Sequence, residues 1–399
     1  MKLAERVGRL GTESAFSVLA TVNELRARGR DIITFAIGEP DFDTPENIKD
    51  RCKQALDEGY THYSPSFGIL ALREAIAAYI SRTRGIPADP GEVVVTPGAK
   101  PIIFHSLLAC VDPGDEVIYP NPGFPIYESM INFVGARPVP IFLDERNGFS
   151  FDVDRLRRLI SPRTTFMIIN SPENPTGGVL SRQDLESIAE LAIEHDITVL
   201  SDEVYSRLVY DAPFESIASI PGMKERTIIL DGFSKTYAMT GWRLGYGVMR
   251  PELASAVTRL VTNSESCTAT FTQVAGVEAL TGSQGRANEM REEFLARRNL
   301  IVSELNSIPG FRCLTPGGAF YVYPNVTEAC KMLGCADSSE FQSRLLHEAG
   351  VAVLPRSAFG CRVEGETDEY VRFSYATSRE NIIEGARRIR EYIKGCAQS

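Results

Sequence analysis

The stretch TIILDGFSK at residues 227–235 is an apolar, β-branched run that leads into a polar turn ending in Lys235. Such a short and fully apolar run is typical of a strand that is buried on both faces of a parallel sheet. Ligands of open α/β sheets bind outside the carboxyl ends of the strands, so we expect Ser234 and Lys235 to face a binding site. Burial or a neighbouring cation favours the neutral, nucleophilic form of a lysine, although a single lysine is more often a surface residue.

The same pattern recurs on both sides of this stretch. Further strand candidates are Val93–Thr96, Glu116–Tyr119, Thr165–Asn170, Ile197–Asp202 and Leu244–Val248. Helical patterns lie between them, as in Ile102–Ala109 and Arg182–Glu194. The alternation of apolar strands with helices predicts an α/β fold with a mostly parallel sheet that is covered by helices on both faces.

The pattern changes after about residue 290, and 399 residues are too many for one ordinary core. We therefore predict a large domain over residues 45–290. A smaller α+β domain is predicted to combine residues 1–44 with residues 291–399. Its predicted helices are Phe16–Ala27, Arg291–Leu305 and Arg379–Ile393, and its predicted strands are Ala319–Tyr323, Val351–Leu354 and Tyr370–Ser374.

Composition restricts the class of protein. A net charge of −10 argues against a nucleic-acid surface, which needs clustered lysine and arginine. No apolar run approaches the length of a membrane span, and the charged N-terminal residues show no secretion signal. The eight cysteines form no C-x-x-C pair and the four histidines have no ligand spacing, so we expect a cytoplasmic protein without a metal site.

Small residues follow the first predicted strand of the large domain. Gly98, Ala99 and Lys100 stand between Val93–Thr96 and the next helix. Such a turn lets backbone N–H groups and the helix dipole face an anion, although a plain tight turn has the same appearance. The segment is neither a P-loop nor a G-x-G-x-x-G fingerprint, which argues against a nucleotide-dependent dehydrogenase.

Polar side chains also follow other predicted strands. Asn174 lies in a loop with two prolines and can donate a hydrogen bond to an anionic oxygen. Asp202 ends an apolar strand, and a buried carboxylate needs a cation or strong donors. A pyridinium N–H would serve, but a structural ion pair or a helix cap would also explain it. Arg243 could hold a phosphate with its bidentate fork.

Several longer motifs, taken in order, resemble the class I/II aminotransferases of pyridoxal-phosphate (PLP) fold type I. The motifs are IGEPDFDTP at 37–45, YSPSFG at 63–68, NPTG at 174–177, SDEVY at 201–205, SK at 234–235 with GWR at 241–243, and VRFSYA at 371–376. The resemblance covers nearly the whole chain. It implies a seven-stranded sheet, PLP as cofactor, a homodimer, and transfer of an amino group from an α-amino acid to a 2-oxo acid.

The resemblance also implies roles for single residues. Lys235 would carry the cofactor as a Schiff base and move a proton, and Asp202 would keep the pyridine nitrogen protonated. Tyr205 and Asn174 would hydrogen-bond the phenolic oxygen of the cofactor. The remaining implied roles are ring stacking by Phe124, phosphate binding by Gly98, Ala99, Lys100, Ser234 and Arg243 and by Tyr63 of the other subunit, and substrate carboxylate binding by Arg372 beside Gly38 and Asn174.

Two positions depart from the family pattern. Many relatives have serine or threonine where this chain has Lys100, and we expect this lysine to face solvent or a salt bridge. Our alignment places Leu108 where some acid-specific relatives carry a lysine, which leaves aromatic and neutral amino donors open. A PLP-dependent lyase or oxidase with the same fold is the alternative. A ligand-sensing regulator is not favoured, because the motif at 37–45 begins too early to leave room for an N-terminal winged helix.

Overall fold

The computed structural model describes residues 2–11 and 14–396. The helices are α1 (Ser14–Ala27), α2 (Glu46–Asp57), α3 (Leu70–Arg84), α4 (Lys100–Cys110), α5 (Ile126–Val134), α6 (Val153–Leu159), α7 (Arg182–Glu194), α8 (Pro251–Ser264), α9 (Thr270–Thr281), α10 (Gly285–Asn306), α11 (Thr327–Leu333), α12 (Ser338–Arg344) and α13 (Arg379–Cys396). The strands are β1 (Ile33–Thr34), β2 (Val93–Thr96), β3 (Glu116–Asn121), β4 (Arg137–Phe142), β5 (Thr164–Asn170), β6 (Thr198–Asp202), β7 (Thr227–Gly232), β8 (Gly245–Val248), β9 (Tyr321–Val322), β10 (Val351–Ala352), β11 (Leu354–Pro355) and β12 (Val371–Ser374).

A seven-stranded sheet has the order β2-β8-β7-β6-β5-β3-β4. Strand β8 is antiparallel to both of its neighbours, and the other pairs are parallel. The predicted mostly parallel α/β sheet is therefore confirmed. Strand β4 was not predicted from its residues, because Pro138 and Pro140 interrupt it. Proline is tolerated there because β4 is an edge strand and lacks a partner on one side.

Helices cover both faces of this sheet. Apolar residues of α4, α5 and α8 pack on one face, against side chains that include Leu200 and Leu230. Helices α3 and α9 pack on the other face at one end of the sheet, and α6 and α7 pack there at the opposite end. Successive side chains of a strand point to opposite faces, so strands buried on both sides must be apolar throughout.

Smaller sheets lie outside the large one. Strand β1 pairs in parallel with β10, and β12 pairs antiparallel with β11 and β9. The single predicted strand Val351–Leu354 is two short strands in the structure. Helix α10 begins earlier than predicted, because the buried positions Ala287 and Met290 continue its apolar face. The division into a domain at 45–290 and a domain at 1–44 with 291–399 stays a prediction. Residues 1, 12, 13 and 397–399 of the predicted small domain lie outside the described ranges.

Other compositional expectations concern membranes and metals. Over residues 2–11 and 14–396, no helix is long and apolar enough to cross a membrane. The same residues contain no group of three or more candidate metal ligands. All eight cysteines fall within this part of the chain, and none of them forms a disulfide.

Candidate active site

A cavity of about 450 Å³ lies at the carboxyl edge of the large sheet. Its volume is in the range that small ligands occupy. Most of the residues that the sequence pointed to form its wall, namely Gly38, Ala99, Lys100, Phe124, Asn174, Asp202, Tyr205, Ser234, Lys235, Arg243 and Arg372. Gly98 lies next to the wall, and Tyr63 lies away from it with 92% of its surface exposed.

Lys235 follows β7 and points its amine into this cavity. Its Nζ donates a hydrogen bond to the carbonyl oxygen of Gly38 at 2.6 Å. The ammonium also lies 5.7 Å from the centre of the Phe320 ring. Gly38 must be a glycine, because a Cβ atom there would come within 2.0 Å of the hydroxyl oxygen of Tyr321. The turn after β7 and the segment after β1 thus place an amine against a carbonyl at the cavity wall.

Asp202 ends β6 and is buried at the bottom of the cavity. Its Oδ2 accepts a 2.6 Å hydrogen bond from the hydroxyl of Tyr127, and its Oδ1 accepts a 3.4 Å bond from the Val204 amide. No lysine or arginine of the described residues forms an ion pair with it, so the structural ion pair is not found. Burial raises the pKa of Asp202 to about 6, which leaves a carboxylate that a cationic ligand would keep ionised.

Arg372 and Asn174 form a buried pair on the wall. The Nη1 of Arg372 donates to the Asn174 Oδ1 at 2.8 Å, and its Nη2 donates to the Ala36 carbonyl at 2.6 Å. The guanidinium also lies over the rings of Tyr321 and Phe359, at 4.5 and 5.0 Å from their centres. These contacts hold the planar fork in one orientation. The Nδ2 group of Asn174 is the hydrogen-bond donor that its amide retains.

The segment before α4 and Arg243 lie at one end of the cavity. Gly98 has a φ of +89°, and a Cβ atom there would come within 2.0 Å of the Arg243 Nη2. Arg243 donates from Nη1 to the Thr240 carbonyl at 2.8 Å and from Nη2 to the Pro97 carbonyl at 3.3 Å. Glycine therefore allows the guanidinium to lie against the turn where α4 begins. The N–H groups at the start of a helix and a guanidinium together suit a phosphate.

Lys100 is exposed to solvent, as expected, but it also belongs to the cavity wall. Its Nζ lies 5.4 Å from the centre of the Phe124 ring. Leu108 lies two turns further along α4, is 41% exposed and does not line the cavity. Leu108 therefore does not face the cavity, whereas Lys100 lies on its wall, and the alignment of Leu108 with a substrate-reading lysine stays a prediction.

The sequence reasoning named Tyr205 but missed several residues that surround it or line the cavity. It is buried, which raises the pKa of its phenol well above the usual range, and its hydroxyl lies 2.8 Å from that of Tyr321. Tyr321 belonged to a predicted strand without an assigned role. Tyr127 had no local signal, because its contact with Asp202 depends on how α5 packs on the sheet. Ala15 and Phe16 of α1 also line the cavity, which the helical pattern alone did not indicate.

Comparisons with known proteins identify the family of this chain. The family model of class I and II aminotransferases matches residues 30–389. An aspartate aminotransferase of Geobacillus stearothermophilus is 39% identical over 399 residues, with 100% of both chains covered. Aromatic-amino-acid aminotransferase 2 of Thermococcus litoralis is 43% identical over 367 residues, with 91% of this chain and 92% of that one covered. The solved structure of Thermus thermophilus aspartate aminotransferase with maleate has a TM-score of 0.92 and 37% identity, and the match covers 98% of this chain and 99% of that one.

The chain therefore belongs to the class I and II aminotransferases. It is a PLP-dependent enzyme that transfers the amino group of an α-amino acid to a 2-oxo acid. These relatives give no support to the lyase or oxidase alternative.

Proposed function

We propose that this enzyme transfers the amino group of an acidic or aromatic amino acid, and that Lys235, Asp202 and Tyr205 are its catalytic residues. One observation carries the proposal. An amine, a buried carboxylate and a buried guanidinium converge on one cavity whose far end suits a phosphate. When bound, PLP supplies an electron-poor ring that stabilises negative charge at the substrate Cα.

The residues around the cavity suit this cofactor. The amides of Ala99 and Lys100, the hydroxyl of Ser234 and the guanidinium of Arg243 would hold its phosphate, with Gly98 making room for Arg243. Phe124 would pack against the ring. Tyr205 and the Nδ2 group of Asn174 would donate to its phenolic oxygen.

Two groups would handle charge and protons. Asp202 would accept a hydrogen bond from the protonated ring nitrogen, which gives the buried carboxylate the cationic partner that the described residues of the protein do not supply. The Nζ of Lys235 would take the proton from the substrate Cα and return it on the cofactor side. Its present contact with the Gly38 carbonyl keeps the amine at the wall of the cavity.

Arg372 would bind the substrate α-carboxylate, with the Gly38 backbone beside it. The Arg372→Lys variant is expected to raise KM for the amino donor by about tenfold or more, because a point charge cannot form both hydrogen bonds of the fork. Steady-state kinetics with saturating acceptor measure this effect. The matched control is Arg379→Lys, an exposed arginine paired with Glu293, which should leave KM unchanged. An unchanged KM in Arg372→Lys would contradict the role.

The substrate class rests on the relatives and on Lys100. Two of the similar proteins are aspartate aminotransferases, one of them solved with the dicarboxylate maleate, and a third is an aromatic-amino-acid enzyme. We propose that the Lys100 ammonium receives the side-chain carboxylate of an acidic donor. The exposed Phe16 and the Phe124 ring would offer apolar contacts to an aromatic one.

The Lys100→Gln variant tests both the activity and this substrate class. Half-reactions of the purified holoenzyme with single amino acids should convert the cofactor once, with a stoichiometric burst of 2-oxo acid. In the variant, kcat/KM for aspartate and glutamate should fall about tenfold, as expected for the loss of one partly exposed charge-assisted hydrogen bond. Values for tyrosine and phenylalanine should not fall. Sustained ammonia release without an acceptor would refute the transferase assignment, and equal losses for all donors would refute the role of Lys100.

We further propose that the enzyme is a cytoplasmic homodimer in which Tyr63 completes the phosphate site of the other subunit. The support is that Tyr63 is 92% exposed although it belongs to a motif of the family resemblance. A large exposed aromatic residue of this kind suits an interface.

A further inference from the structure

A buried charge cluster lies behind the wall of the active site. Arg84, the last residue of α3, donates from Nε to the Glu203 Oε2 at 2.8 Å and from Nη2 to the Asp231 Oδ2 at 2.7 Å. Its other hydrogen bonds go to Ser206 at 2.8 Å and Thr83 at 2.9 Å. The three charged side chains are each no more than 3% exposed. One guanidinium therefore connects two buried carboxylates from neighbouring strands.

This cluster lies directly behind the residues proposed for catalysis. Asp202 of β6 is paired with Leu230 of β7, and both line the cavity. Glu203 directly follows Asp202 and Asp231 directly follows Leu230, and the Glu203 amide donates to the Leu230 carbonyl at 2.8 Å. Because successive side chains alternate, the carboxylates of Glu203 and Asp231 point to the opposite face, where α3 packs. Arg84 thus joins the ends of the two strands that present Asp202 and lead to Lys235.

The cluster also sets the charge next to Asp202. When both carboxylates are ionised, Glu203 and Asp231 contribute two negative charges and Arg84 one positive charge, which leaves a balance of −1. Both carboxylates add to the effect of burial in raising the pKa of Asp202, whereas the Tyr127 hydroxyl and the Val204 amide lower it. Burial likewise raises the pKa of Asp231 to about 6, and Arg84 is the main group that opposes this. The phenol of Tyr205 is a further titratable group facing Asp202.

We propose that Arg84 is a positioning residue for transamination, which holds the ends of β6 and β7 together and keeps Asp202 ionised by offsetting the two carboxylates behind it. The inference rests on the function proposed above for Asp202 and Lys235. Arg84 touches neither the cavity nor its ligands. A purely structural ion pair would affect stability alone. A positioning residue also changes the rate of transamination and the acid limb of ligand binding, which is the fall in affinity at low pH as Asp202 becomes protonated.

Four variants separate charge from geometry. Arg84→Met removes the one positive charge of the cluster, Glu203→Gln removes one negative charge, and the double variant removes both. Arg84→Lys keeps the charge but cannot bridge both carboxylates with a planar fork. The probe is 4′-deoxypyridoxine 5′-phosphate, which has no aldehyde and therefore reports on the ring nitrogen and phosphate contacts without lysine chemistry. The titration of the probe itself is the same in every experiment, so differences between variants come from the protein.

Binding of this probe to the apoproteins is measured by fluorescence from pH 5 to pH 9, since tight binding requires ionised Asp202. The acid limb should move to higher pH in Arg84→Met, to lower pH in Glu203→Gln, and back towards the wild type in the double variant. In Arg84→Lys the limb should stay in place, while kcat/KM of the holoenzyme falls about ten- to a hundredfold through misplacement of Asp202 and Lys235.

Acid limbs that do not follow the charge order would overturn the proposal, even if thermal stability changes. Should Arg84→Met fail to fold, Glu203→Gln and Arg84→Lys decide the question by the same two readouts. The Lys235→Ala variant serves as an independent reference. If it retained covalently bound cofactor, the proposed function would fail, whatever the Arg84 series shows.

Discussion

The Lys235→Ala variant is expected to bind PLP without covalent attachment and to lose transaminase activity by on the order of 10⁴-fold, the upper range for removal of a general acid–base group. The reason is that Lys235 is the lysine whose amine lies against the Gly38 backbone, on the wall of the cavity that Asn174 and Asp202 also line. Lys100 lines the same cavity, but it is exposed and its Nζ lies 5.4 Å from the centre of the Phe124 ring.

Borohydride reduction followed by mass spectrometry of peptides measures the attachment, and single-turnover kinetics measure the rate. In the wild type the cofactor should be found on the peptide that contains Lys235. The control is Lys394→Ala, an exposed lysine of α13, which should retain both attachment and rate. A cofactor found covalently bound to Lys100 or to any other lysine of the Lys235→Ala variant would disprove the assignment.

The Asp202→Asn variant is expected to lower the rate of the half-reaction by on the order of 10³-fold, since a charge that stabilises the transition state is lost. Asparagine keeps the size of the side chain and can still accept the hydrogen bond from Tyr127, so packing should be preserved. Stopped-flow absorbance of the bound cofactor measures the rate. Tyr127→Phe is the matched comparison, because it removes the donor but leaves the carboxylate, and its loss should be much smaller. Near-normal turnover of Asp202→Asn would contradict the role.

The Asp202→Asn substitution should also stabilise the cofactor-free protein against unfolding at pH values above about 6. Burial raises the pKa of Asp202 in the folded state to about 6, so the folded state binds a proton more tightly than the unfolded state does. The stability of the wild-type apoprotein therefore falls as the pH rises from the unfolded pKa through about 6, and the asparagine variant escapes this loss. Thermal unfolding of the two apoproteins at pH 5 and pH 8 measures the difference. A wild-type apoprotein as stable as the variant at pH 8 would argue against the buried, uncompensated carboxylate.

Local signals predicted much of the fold. The predicted bounds of helix α7, Arg182–Glu194, agree with the structure because the apolar positions recur with helical spacing, and the structure adds a reciprocal cap between Ser181 and Asp184. Strand β4 could not be predicted, because prolines at 138 and 140 argue against a strand unless it is known to lie at an edge. The edge position is a property of the whole sheet.

The candidate site was likewise predicted only in part from the sequence. Lys235 and Asp202 could be named because each lies at the end of an apolar strand, where an α/β sheet places its ligands. Arg243 could be named because it lies eight residues after Lys235 and its guanidinium can bind a phosphate with two hydrogen bonds. Tyr127 and Arg84 could not be named. Their partners are set by the packing of α5 and α3 on the sheet, which no local pattern reveals.

The alternation of strands and helices, apart from β4, and the polar residues at the strand ends follow from spacing and side-chain type along the chain. The class of chemistry was implied by the motifs that resemble those of the class I/II aminotransferases. Tertiary structure alone decided that Arg372 meets Asn174 across 198 positions and that one arginine bridges the strands behind Asp202. Such contacts depend on strand register and helix packing. These arise only when distant segments bury their apolar faces together.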